Sequence, residues 1–329
     1  VYRAVQPFSG FKYPPIEVLG VGQQFIAYGI HPDTGKPYDW PVSTLADLSP
    51  DDLPGITEAQ AREFEARVER VQAVAARQRG IGLQALQRGD VIGLPTETVY
   101  ALAADACNET AVARIFAAKG RPANHPLIVH VASAEAVTKF ASEVPAFAQQ
   151  LMAKFWPGPL TLILPRRDDV AAAAAGGQTS VGLRCPSHPV ALDVLKACAA
   201  QGVWGVAAPS ANLFGRVSPT TALHVQSEFG NDLLILDGGD CDVGIESTIV
   251  DCSRGTPVLL RPGMLSLSQL SEAAGVPVLN STPLGSMSSS ADALNEQAPA
   301  APGTMASHYA PRARVHTHAA SNQNGARFK

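Results

Sequence analysis

Four segments of this chain combine hydroxyls, cations and small residues in patterns suited to holding a polar or anionic ligand. The first is PTETVYALAADA (95–106), where three hydroxyls and a carboxylate follow the apolar run VIGL at a strand-to-helix junction. Such groups can bind a ligand or simply cap a helix, and for this segment alone capping is the simpler reading. The second is IFAAKGRPANHPLIVHV (115–131), in which Lys119 and Arg121 flank a glycine and Pro122 ends the helix. Two cations at a helix C-terminus are favoured by the macrodipole. The sharper alternative is a phosphate clamp, an ammonium point charge beside a bidentate guanidinium fork. His125 and His130 follow, His130 on a strand that reads as buried, where a histidine is more often a satisfied core residue than a ligand.

The third segment is VAAPSANLFGRVSPTTA (206–222): a small-residue strand ends in Pro209-Ser210-Ala211-Asn212, and Ser218-Pro219-Thr220 opens a helix. That arrangement allows close backbone approach with hydroxyl and amide contacts to a nucleotide. The fourth is DGGDCDVGIESTIVD (237–251) with LLRPG (259–263), which brings Ser247, Thr248 and Arg261 to strand ends. Neither GxxxxGK[ST] nor GxGxxG occurs, so the nucleotide would not sit on a Walker or dinucleotide loop. Ser210 lacks a GxSxG setting and no cysteine sits in a Cys/His arrangement, so nucleophilic catalysis reads poorly. His316 and His318 in the polar tail read as incidental, and no dedicated metal site is expected. Each segment alone is ambiguous. Together, basic and hydroxylic strand ends around one sheet predict an anionic-ligand pocket.

The elements that must position these groups follow from composition and periodicity. The chain has 329 residues, 46% hydrophobic and 16% charged, with 25 Lys+Arg against 29 Asp+Glu and a net charge of −4. Charged residues fall below the usual share of about 25%, so nucleotide or nucleic-acid contact must rest on a local basic cluster rather than a global field. The longest apolar runs, such as LTLIL (160–164), are strand-sized, so no membrane span is expected. Five cysteines without a CxxC, and a start without signal-peptide character, predict a reducing, cytoplasmic setting. Residues 1–56 read as an N-terminal extension of short strands and turns, and 57–79 as one connecting helix with Thr57 as its cap. From 80 to 265, strand candidates (VIGLPT, PLIVHV, LTLILP, SVGLRCP, GVAAPS, LLILDGG, STIVDC, PVLLRPG) alternate with Ala-rich helical stretches, an α/β texture. Residues 266–311 read as a linker and lid, much of it Ser/Ala/Pro-rich, and 312–329 as a tail.

In this order PTETVY, IFAAKGRP…HPLIVH, PGPLTLIL, VGLRCP, APSANLFGRVSPT, GIESTIVD and LLRPG closely resemble the Sua5/YrdC/YciO family across residues 80–265. APGTMASHYAP (301–311) is similar to the Sua5 segment that folds back over the active-site cavity, which makes His308 and Tyr309 lid residues by resemblance. The resemblance implies a YrdC-like twisted open sheet with flanking helices around a deep basic cavity. It also implies L-threonylcarbamoyladenylate synthesis from ATP, L-threonine and bicarbonate, with Mg²⁺ accompanying ATP and a separate transferase passing the group to tRNA. By position, Thr98, His130, Arg184 and Ser247 would hold threonine or its carbamate, and Arg184 its carboxylate. Lys119, Arg121, His125, Ser180, Ser210, Asn212, Ser218 and Arg261 would surround ATP, with Lys119 and Arg121 as the catalytic cations.

The chain departs from the family pattern at Ala101, where glycine is common, at Phe214 in place of a hydroxyl, and at His125 in place of asparagine. The family's C-terminal domain would follow HYAP, and the short remainder reads as a truncated form. Residues 1–56 weakly resemble the closing strands of a primase–polymerase domain, with Glu17 where that family places a metal-binding acid. A second functional class is a non-catalytic double-stranded-RNA or tRNA-binding module that uses the basic rim of the same cavity. A threonine-sized subsite inside the pocket favours the enzyme.

Overall fold

The structure is a computed structural model that describes residues 3–4, 11–13, 16–18, 55–56, 58–280 and 299–302. The chain forms two units, Val1–Arg77 and Gln78–Lys329. In the first, β1 (Arg3–Ala4) pairs in parallel with β4 (Gly55–Ile56), and β2 (Phe11–Tyr13) pairs antiparallel with β3 (Ile16–Val18), the strand that carries Glu17. Helix α1 (Glu58–Gln87) begins in the first unit and ends in the second. It does not stop at residue 79, as its sequence pattern predicts; the expected cap Thr57 lies outside the described residues. The reason is tertiary. Gly82 breaks the pattern on paper, but a Cβ there would lie 2.9 Å from Leu236 Cδ1 and 3.3 Å from Val194 Cγ2. The glycine lets the helix approach its neighbours closely, and Ala85 and Leu86 are then fully buried.

The second unit holds a large, twisted ten-stranded sheet. Its strands are β5 (Ile92–Leu94), β6 (Ala101–Asp105), β7 (Ile128–Val131), β8 (Leu160–Pro165), β9 (Ser180–Arg184), β10 (Gly205–Ala207), β11 (Leu234–Ile235), β12 (Thr248–Asp251), β13 (Val258–Arg261) and β14 (Leu279–Asn280). The spatial order is β11-β5-β6-β10-β7-β9-β8-β12-β13-β14, with mixed parallel and antiparallel pairing. Flanking helices are α2 (Glu109–Lys119), α3 (Ala146–Phe155), α4 (Pro189–Ala200), α5 (Ala222–Phe229) and α6 (Leu267–Ala274).

All eight apolar runs read as strands contain one. The ALAAD stretch, read from sequence as the start of a helix, is instead β6, paired antiparallel with β5. Alanine's helix preference is a weak prior that tertiary packing overrides. Here small side chains suit a strand buried on both faces: Leu102 and Ala104 join one core cluster, Ala101 and Ala103 the other.

The period-2 alternation of the strands creates the site. Val129, Val131, Leu160, Leu162, Leu164, Val181, Leu183, Val250 and Leu259 face one core cluster, which also takes residues of α2, α3 and α6. Fully burying each such leucine contributes about 1.5–3 kcal/mol. On the opposite face, α1 and α4 pack over β5, β6 and β10. Beyond them the face turns polar: His130 of β7 lies in register with Arg184 of β9, and Thr161 of β8 reaches Ser247 just before β12. Ile128, Ile163 and Ile249 form a small apolar patch on this face, packed under Ala301.

Candidate active site

The polar face is the floor of a cleft of about 440 Å³. Arg184 lies at its centre, only 3% exposed. Its Nε donates to the Gly158 carbonyl at 3.2 Å, Nη1 to Thr98 Oγ1 at 2.8 Å and Nη2 to Glu97 Oε1 at 2.6 Å. Thr98 is held in turn by the PTETVY turn, where Thr96 Oγ1 lies 3.0 Å from Thr98 Oγ1 and donates to the Val99 carbonyl at 2.7 Å. Tyr100 fastens that turn to the neighbouring loop by donating to the Gly239 carbonyl at 2.8 Å, and burial pushes its hydroxyl up to about 12. His130, 2% exposed, is kept well below the usual histidine range by burial and by the Arg184 charge. It is therefore a neutral imidazole, and its buried Nδ1 makes no hydrogen bond among the described residues.

Lys119 and Arg121 take different positions. Asn108 caps the start of α2, and Gly120 ends it in the left-handed conformation at φ 62° between the two cations. Lys119 Nζ donates to the Ser210 and Asn212 carbonyls, pinning the PSAN loop. Burial, and then the nearby Arg121 charge, lower its pKa to about 7. Arg121 lines the cleft directly and donates through Nη2 to the Pro126 carbonyl at 3.1 Å. Asn212 turns inward, its amide donating to the Leu213 and Arg216 carbonyls at 2.8 and 2.9 Å. Lys119 and Asn212 thus shape the loop, while Arg121 and Ser210 face the cleft.

On the far wall Arg261 gathers four acceptors: the Ser247 carbonyl and Oγ, both at 3.0 Å, the Pro302 carbonyl at 2.9 Å, and the Glu246 carboxylate. Ser218 donates to the other Glu246 oxygen at 2.7 Å. The cleft thereby collects three buried guanidinium groups (Arg121, Arg184 and Arg261), the Glu246 carboxylate, the hydroxyls of Thr96, Thr98, Ser210 and Ser247, and a neutral imidazole. This arrangement can neutralise and orient two anionic partners. Burial pushes the Cys185 thiol, beside Arg184, up to about 11, so it is a poor nucleophile.

Of the residues singled out in the sequence, Thr98, Arg121, His130, Arg184, Ser210, Ser247 and Arg261 line this one cleft. Ser218 stands behind Glu246 at the rim. Ser180 lies in an adjoining hollow of about 270 Å³ that shares Ile128 and Pro302 with the main cleft. Two of the three departures from the family pattern meet: the rings of His125 and Phe214 lie 5.9 Å apart and tilted by 41°. Burial and the Arg121 charge lower the His125 pKa. His308 and Tyr309 lie outside the described residues. Sequence reasoning assigned no role to Glu97, Glu246, Thr96 or Thr161. Glu97 sits in the PTETVY motif itself, but a carboxylate's partner arises from tertiary contact and leaves no spacing signal.

The Sua5/YciO/YrdC family model, described as telomere recombination, matches residues 84–263. A model of the threonylcarbamoyl-AMP synthase C-terminal domain matches residues 265–327, the stretch read above as linker, lid and tail. Threonylcarbamoyl-AMP synthase of Pyrococcus abyssi is 42% identical over 231 residues, covering 70% of this chain and 64% of that protein. The Bacillus subtilis protein of the same name is 40% identical over 230 residues, covering 69% of this chain and 63% of that protein. The chain therefore spans less than two thirds of the length of these curated relatives. The P. abyssi Sua5 structure complexed with L-threonine superposes with a TM-score of 0.63 at 40% identity, covering 72% of this chain and 66% of that one. Escherichia coli YciO, at 23% identity and TM-score 0.52 over 59% of this chain and 93% of its own, shares the fold. With motifs, sheet and cleft in agreement with a match over more than half its length, the chain belongs to the Sua5/YciO/YrdC family.

Proposed function

We propose that this chain is an L-threonylcarbamoyladenylate synthase. Threonine's amine and bicarbonate combine to a carbamate with loss of water. A carbamate oxygen then attacks the α-phosphorus of ATP, forming a P–O bond as the bond to pyrophosphate breaks. The observation that carries this reading is the meeting of three buried arginines with Thr98, Ser247 and neutral His130 in one cleft. Such a site suits a small amino-acid carbamate beside a triphosphate, since catalysis here consists of orienting two anions and stabilising charge. The P. abyssi structure complexed with L-threonine, 40% identical, supports threonine as the amino acid, and the buried Arg184 and Thr98 offer its carboxylate a charged and a hydroxyl partner. Arg121 and Arg261 take the phosphate side, with Lys119 holding the loop between them.

Mg²⁺ enters with the triphosphate as part of the substrate. Its ligands are mainly phosphate oxygens and water rather than a dedicated protein cage. The product passes to a transferase acting on tRNA, in the cytoplasm. No helix among the described residues is long and apolar enough to cross a membrane. The test is quantification of threonylcarbamoyl-AMP with each substrate omitted in turn. Product that depends on ATP, threonine and bicarbonate together supports the synthase; RNA binding without any such product supports a non-catalytic RNA-binding module instead.

A further inference from the structure

We propose that Glu97 is the positioning residue of the amino-acid subsite, setting the orientation of Arg184 without touching the ligand. The proposal deepens the synthase reading and rests on it. Glu97 is 5% exposed and lies behind the cleft, whose wall is formed by Thr98 and Arg184. One of its carboxylate oxygens takes Arg184 Nη2 at 2.6 Å; the other accepts the Ser187 backbone N–H at 3.1 Å. Its own carbonyl accepts from Val243 N at 2.8 Å, so backbone and side chain are both fixed.

A guanidinium has five N–H donors in a rigid plane. In Arg184, Nε is held by Gly158, and one donor on each terminal nitrogen is held by Thr98 or Glu97. One N–H on each terminal nitrogen remains for a ligand, the pair with which arginine grips a carboxylate. Three fixed contacts define the plane. Of these, only Glu97 carries charge, so it both orients the guanidinium and compensates its burial. Because Glu97 reaches the ligand only through Arg184, its removal should affect the amino acid selectively and spare the nucleotide.

The experiment is calorimetric titration of the full chain with L-threonine and, separately, with ATP, for wild type, Glu97→Gln and Glu97→Asp. In the glutamine variant one amide oxygen cannot serve both Arg184 and Ser187, and its NH₂ faces a second donor. Threonine affinity should fall tenfold or more while ATP affinity stays within twofold. Aspartate keeps the charge but is one methylene short of spanning both partners, so threonine affinity should fall by about threefold. If Glu97→Gln does not fold, Glu97→Asp decides alone. Unchanged threonine affinity in the folded variants, or equal losses for threonine and ATP, overturns the positioning role while leaving the synthase reading intact. Failure of the wild-type chain to bind threonine overturns both.

Discussion

Replacing Arg261 with methionine removes four hydrogen bonds from one wall of the cleft: two to Ser247, one to Pro302 and one to the Glu246 carboxylate. The Arg261 and Glu246 side chains are 7% and 13% exposed, so the pair is largely withdrawn from water. Removing one member of a buried pair costs about 3–5 kcal/mol, mostly because the other charge is left uncompensated. Arg261→Met should therefore lose about 3–5 kcal/mol in urea unfolding. Glu246→Gln leaves the Arg261 guanidinium without its counter-charge but keeps an amide oxygen as acceptor, and should lose about 2–3 kcal/mol, at or below the low end of that range. In the double variant no buried charge is orphaned. Its loss should fall short of the summed single losses by about 2 kcal/mol, within the range measured for contacting residues. The assay is urea denaturation of the four proteins at one temperature and pH, followed by circular dichroism. If the two substitutions add to within about 0.5 kcal/mol, Arg261 and Glu246 are not coupled and the far wall is not held by this pair.

Lys119 titrates near 7 in the folded chain against 10.5 for an ordinary lysine, so between those values the unfolded chain binds more protons and stability rises with pH. From pH 7 to pH 9 wild type should gain about 2 kcal/mol relative to Lys119→Met; equal pH dependence in paired urea titrations would contradict the buried, desolvated cation. Arg184→Lys keeps the charge but cannot hold Gly158, Thr98 and Glu97 together. Threonine affinity measured by calorimetry should drop about tenfold or more with ATP affinity little changed; equal effects on both ligands would remove Arg184 from the amino-acid end. Arg121→Ala should weaken ATP binding about tenfold or more, the loss of a charge-assisted contact worth about 1.5–3 kcal/mol, with little change in melting temperature; unchanged ATP affinity would return this cation to a helix-end role.

Much of this architecture was legible in local sequence. The strands LTLILP and SVGLR read as strands because β-branched and apolar residues run between turn formers, and their alternation separates Leu160, Leu162 and Leu164 from Thr161. Lys119 and Arg121 stood out as a pair of cations at a helix end and Arg261 as a cation at a strand end, whereas Arg184 entered through the resemblance carried by VGLRCP. Those features depend on residue type and spacing within a few positions. A sequence can display them without any knowledge of what packs against what.

The partners of those groups were decided only by the tertiary structure. Glu97 meets Arg184 across 87 positions of chain. Lys119 reaches carbonyls 91 and 93 positions away, at Ser210 and Asn212. Strand β6 forms from an alanine run because β5 and β10 offer it pairing edges, and α1 runs on past residue 79 where Leu236 and Val194 pack closely on Gly82. In each case the local preference is a fraction of a kcal/mol per residue, whereas burying or stranding a charge or a backbone donor involves several. The larger energy belongs to contacts made only when distant segments meet, and it set the final roles of these residues.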